Sequence, residues 1–190
     1  MQRTLIHRRS RSPRAGATLI EAVAGMGVVL LSMVGFARVV LFADLHPEAD
    51  HEYLLAREAV QRTIDDLSWT SFREVYARYN EDPFDDPDGA GTASGDRFSV
   101  PGLAPRSPDP ETAVGRISFP TIFDFDCGLA LREDVLDPAL GMPRDLNGDG
   151  QVDRRDHSRD YALLPVRVRV EWRGAAGPSV LEVETLIGDL

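Results

Sequence analysis

The sequence predicts an α+β protein, with a long amino-terminal helix, apolar in its first half and amphipathic in its second, packed on a small antiparallel sheet. Three observations predict it. Residues 17–37 carry no charge except Glu21. Apolar side chains recur at steps of three and four from Tyr53 to Leu67, and two runs near the carboxy terminus alternate apolar with charged residues. Helical patterns gathered at one end of a chain and strand patterns at the other give segregated helices and sheet. The reading divides the chain into a basic leader (1–16), a transmembrane helix (17–43), an amphipathic helical region (44–80) and a loop-rich antiparallel sheet domain (81–190) that contains a candidate calcium loop at 145–156.

With 190 residues, 43% hydrophobic and 27% charged, the chain has room for one modest domain and an extension. The net charge of -10 averages two opposite regions. Five arginines and no acid precede Gly16, which leaves 16 arginines against 31 acids in the remainder. That acidic remainder repels nucleic acid, so no direct nucleic-acid contact is expected. Cys127 is the only cysteine, which excludes an internal disulfide and a CxxC zinc or redox site. It reads as a small apolar residue.

Ala17 to Ala37, as a helix, spans roughly 32 Å, about the hydrocarbon thickness of a bilayer. The arginines before it hold the leader in the cytoplasm and send the acidic remainder across the membrane. Arg38 lies at the far end, where it can snorkel, but Glu21 lies inside the run, where a carboxylate is costly without a partner. A secretory signal would show the same basic start and apolar run, with cleavage near Ala37 or Ala43, and a plain signal anchor would place Glu21 at headgroup level.

The hexapeptide Gly16-Ala17-Thr18-Leu19-Ile20-Glu21 resembles the prepilin cleavage motif of type IV pilins and type II secretion pseudopilins, usually G-F-T-L-I-E ahead of an apolar helix. Ala17 stands where the family usually has phenylalanine, and Ala22 where many major pilins have proline, which makes the likeness one to a minor subunit. The resemblance implies a pilin-like fold, cleavage after Gly16 by a prepilin peptidase and methylation of the new terminus at Ala17. It implies a single-pass protein of the bacterial inner membrane, its carboxy-terminal domain outside the cytoplasm, joining other pilin or pseudopilin subunits in a filament. It further implies that Glu21 pairs with the terminal amine of a neighbouring subunit. An ammonium and a carboxylate in low dielectric offset one another's desolvation, and a slipped register leaves both unpaired. A membrane-anchored calcium-binding or adhesive module that never polymerises is the other reading.

Pro47 marks a kink or a restart. Beyond it, Tyr53, Ala56, Val60, Ile64 and Leu67 form an apolar stripe between charged residues, and a second helix is expected over 71–79 with Phe72, Val75, Tyr76 and Tyr79. Residues 80–95 are dense in acids, proline and glycine and read as a solvated loop. Strands are expected at 96–100 and 114–119. Val166, Val168, Val170 and Trp172 alternate with Arg167, Arg169, Glu171 and Arg173. After a turn at 174–178, Leu181 to Glu184 alternate again, so arginines can oppose glutamates across a hairpin. That hairpin loosely resembles the carboxy-terminal hairpin of minor pilins and pseudopilins.

Between these strands, Asp145, Asn147, Asp149, Asp153 and Asp156 occupy positions one, three, five, nine and twelve of a loop with Gly150 at six and the Gln151 carbonyl at seven. Ca2+ takes six to eight oxygens, and a short loop must turn sharply to supply them. The pattern resembles a dockerin-type loop, with aspartate at the last position. Its lack of a partner loop predicts a structural ion of about 10⁻⁴ to 10⁻³ M affinity, as in extracellular modules. Val152 at position eight is expected to turn inward. His157 reads as a lone exposed histidine. There is no HExxH, G-x-S-x-G or phosphate loop, and no enzyme is expected.

Overall fold

A computed structural model describes residues 19–107, 109, 112–124 and 128–188. Gly16, Ala17 and Cys127 lie outside the described residues. The chain divides into two compact units, Met1–Asp44 and Leu45–Leu190, and the first helix, α1 (Leu19–Trp69), contributes to both. The backbone remains helical through Pro47, so the chain does not restart there.

In the first unit every described side chain from Leu19 to Val39 is exposed. These 21 residues are long and apolar enough to cross a membrane or to serve as a signal. Glu21 has no hydrogen bond or ion pair among the described residues.

In the second unit the amphipathic half of α1 buries Ala56, Val60 and Leu67, with Leu55, Ala59 and Ile64 packed alongside. Tyr53, expected in this stripe, is exposed. One turn back from Ala56, the half-buried Glu52 takes that place instead. The Glu52 carboxylate accepts from the Trp172 indole N–H (3.3 Å) and from the Ala175 N–H (3.0 Å), tying the helix to the far end of a hairpin. A second helix, α2 (Phe72–Tyr79), buries Val75 and Tyr76, as its sequence pattern predicts.

The strands are β1 (Arg97–Phe98), β2 (Gly115–Ser118), β3 (Thr121–Asp124), β4 (Gly128–Leu131), β5 (Leu163–Gly174) and β6 (Gly177–Gly188). A four-stranded antiparallel sheet has the order β1-β2-β5-β6, while β3 and β4 form a separate hairpin that the sequence pattern did not suggest. On β5, Leu164, Val166, Val168, Val170 and Trp172 face the core. Fully burying each such side chain stabilises the fold by about 1.5–3 kcal/mol.

The opposite face of β5 carries charge. Its register sets Arg167 against Glu184 and Arg169 against Glu182, with ion pairs at 3.4 and 2.8 Å. The turn between β5 and β6 is shorter than expected, only Ala175 and Ala176. Gly177 enters β6 at φ +117°, a conformation other residues rarely adopt. Residues 80–95 are mostly exposed yet anchored: the buried Asn80 donates to Asp85 (2.7 Å) and accepts from the Asp82 N–H (2.7 Å), and Asp86 accepts from the Ala93 N–H (3.1 Å).

Candidate functional site

The loop 145–156 lies between β4 and β5, and Leu146 pins it. This side chain is fully buried, its carbonyl accepts from Ala162 and Leu163 at the start of β5 (2.7 and 2.9 Å), and its N–H donates to Glu133 Oε1 (2.7 Å). Leu146, at position two, therefore does the anchoring assigned above to Val152, which is half exposed.

The first half of the loop curls around the Asp145 carboxylate, whose oxygens accept from the Gly148 N–H (2.6 Å) and the Gly150 N–H (2.7 Å). Gly148 and Gly150 both have positive φ, which the curl requires. Asn147 and Asp149 each accept from the N–H two residues on, at 3.0 and 2.8 Å. These backbone bonds hold the Asp145 carboxyl below its usual range, the Gly150 amide contributing most. Gln151 is exposed. Asp156 is engaged elsewhere: its Oδ1 accepts from the Leu131 N–H of β4 (3.0 Å) and the Ser158 N–H (3.0 Å). It lines an open groove with Tyr76, Asp82 and Asp85.

Behind the loop lies a cluster that the sequence reading missed. Glu133, 1% exposed, accepts from Leu146 through Oε1 and from the Asp153 N–H through Oε2 (2.9 Å). His157 is 2% exposed, not on the surface as expected, and its backbone N–H donates to the Leu131 carbonyl (2.9 Å) at the end of β4. Its Nδ1 lies 3.0 Å from Asp160, and its Nε2 lies 3.1 Å from Asp153 Oδ1 and 3.6 Å from Glu133 Oε2. Burial alone would pull the imidazole's pKa down, but the hydrogen bonds to Asp153 and Asp160 and the charge of Glu133 outweigh it and hold the pKa above its ordinary value. Among the described residues Glu133, Asp153 and His157 are the group whose ligand atoms converge within 4.8 Å.

Little in the sequence flags Glu133, which sits in an ordinary Arg-Glu-Asp triplet upstream of the loop. The spacing of Asp153, His157 and Asp160 does place three polar side chains at steps of four and three, a signal overshadowed by the stronger twelve-residue pattern.

Comparison with known proteins gives no match: no protein-family model matches the chain, and neither does any curated protein or solved structure. The functional reading therefore rests on the residues themselves.

Proposed function

We propose that the protein is a minor pilin or pseudopilin subunit, cleaved after Gly16, methylated at Ala17 and assembled through its amino-terminal helix into a type IV pilus or a type II secretion pseudopilus. One observation carries the reading. Glu21 is the sole charge in an apolar helical stretch whose side chains are exposed throughout, and it directly follows a basic leader and the G-A-T-L-I sequence. An apolar surface of that length needs lipid or other helices to cover it, and a carboxylate within it needs a cation. A neighbouring subunit's terminal amine supplies that cation at one register only.

The remainder serves as the exported body. Its role is structural assembly rather than catalysis, with prepilin peptidase, other subunits and the inner membrane as partners. A calcium ion on Asp145, Asn147, Asp149, the Gln151 carbonyl and Asp153 would order the segment ahead of β5. The curled first half of the loop fits such an ion, whereas Asp156 would reach it only by giving up the Leu131 N–H.

The test is the mature amino terminus, measured by mass spectrometry on protein from the native membrane. A chain beginning at methylated Ala17 is expected. An intact terminus, or a cut near Ala37 or Ala43, would overturn the reading and leave an anchored or secreted module.

A further inference from the structure

The hydrogen bonding around His157 poses a problem of charge. Asp160 can only accept, so Nδ1 carries its proton toward Asp160 and fixes the ring with Nε2 facing inward (3.0 Å). A carboxylate hydrogen-bonded to one ring nitrogen is the usual way an imidazole presents its other nitrogen to a metal. Nε2 then faces two more acceptors, Asp153 Oδ1 at 3.1 Å and Glu133 Oε2 at 3.6 Å. Glu133 Oε2 already accepts from the Asp153 N–H (2.9 Å) and Asp153 Oδ1 from the Arg155 N–H (2.7 Å), yet the three atoms still converge within 4.8 Å beside two fully buried side chains, a spacing that a cation can bridge.

A proton on Nε2 satisfies only part of this. It points along one line, to Asp153, and leaves Glu133 Oε2 beyond hydrogen-bond reach. It also leaves one positive charge against the carboxylates of Glu133, Asp153 and Asp160, since the Arg155 guanidinium reaches only Asp153 Oδ2 (2.9 Å). A divalent ion contacts all three inward atoms and neutralises one more charge.

We infer that Glu133, Asp153 and His157 form a binding site for a divalent transition metal of the zinc class, separate from the calcium loop and oriented by Asp160. Zinc bonds of about 2.0–2.1 Å in a tetrahedron place neighbouring ligands roughly 3.4 Å apart. The two separations from Nε2, 3.1 and 3.6 Å, bracket that value. The imidazole selects against calcium, which takes oxygen ligands, and in favour of zinc or its neighbours. Asp153 is the ligand closest to solvent, with 26% of its side chain exposed, so a water can complete the fourth position from its side. Asp153 is also position nine of the loop, which calcium loops often fill through water, so one aspartate can serve both ions. The inference does not depend on assembly into a filament.

The experiment uses the intact chain in detergent, stripped with a chelator and then loaded with Zn2+ alone, Ca2+ alone or Co2+ alone. Bound metal is measured after dialysis, and the Co2+ absorption spectrum reports on the ligands. One Zn2+ per chain and a Co2+ spectrum of mixed nitrogen and oxygen ligation are expected. His157→Gln should abolish Zn2+ binding, and Asp160→Asn should weaken it about tenfold or more by releasing the ring. Asp145→Asn should leave it intact while reducing Ca2+ binding. If His157→Gln fails to fold, the exposed Asp160→Asn and the wild-type Co2+ spectrum still decide. No stoichiometric Zn2+ in the wild type, a spectrum of oxygen ligands only, or Zn2+ lost with Asp145→Asn would each overturn the site. The first of these would mean that His157 holds a proton alone.

Discussion

Two glutamates in this chain have opposite surroundings. Glu21 lies in an apolar helical segment with no partner among the described residues, whereas Glu133 is enclosed and accepts from Leu146, Asn147 and Asp153 N–H groups while facing His157. The second unit satisfies its buried polar groups internally. Under the proposed function the partner of Glu21 lies on another subunit, so the contrast is between a carboxylate satisfied within its own unit and one satisfied on assembly.

The largest effect expected from breaking this contrast is at Glu21. Glu21→Val should abolish incorporation into filaments, read by shearing and fractionation, while leaving the thermal unfolding of the second unit unchanged. A mutant that still assembles would place Glu21 among ordinary interfacial residues. Conversely, Leu164→Ala opens a cavity under β5 and should cost about 2–5 kcal/mol in denaturant unfolding without altering membrane insertion.

Glu133→Gln sharpens the comparison further. In metal-free protein, it replaces one accepting oxygen with a donor facing a backbone N–H, and a loss of about 1–3 kcal/mol is expected by denaturant unfolding. A neutral result would mean that Leu146 alone anchors the loop.

A smaller effect should appear in acid. Arg167 binds both oxygens of Asp137, at 2.8 and 2.9 Å, and this pairing holds the Asp137 carboxyl below its ordinary value. Because the folded pKa lies below the unfolded one, the contribution is complete above the unfolded value of about 3.9 and fades as pH falls through the lower folded value. Stability profiles of wild type and Asp137→Asn should converge as the pH drops through that window, and a constant gap between them would refute the linkage. Smallest of all, Glu58→Ala removes an exposed pair with Arg62 on α1 and should change stability by only about 0.3–0.5 kcal/mol.

Much of the fold is legible in the sequence because period and alternation are local properties. The two-residue alternation from Val166 to Trp172 dictates one buried and one charged face, and the register then sets arginine against glutamate. The apolar run around Glu21 is equally local, as is the curl of Asp145 over Gly148 and Gly150, since each is written into a few consecutive residues.

Contacts between distant segments carry no such signature. Glu52 reaches Trp172 across 120 residues, and this contact explains why Tyr53 is exposed. Glu133 reaches the loop from β4's side, and the Leu131 carbonyl accepts from the His157 N–H. The apolar helix, its lone acid, the alternating hairpin and the oxygen-rich loop follow from local spacing, because chain geometry converts spacing directly into faces and turns. The burial of His157, the anchoring of the loop by Leu146 rather than Val152, and the meeting of Glu133 with Asp153 and His157 all arise from packing. Burial and convergence depend on which segments pack together, and spacing along a chain does not encode that.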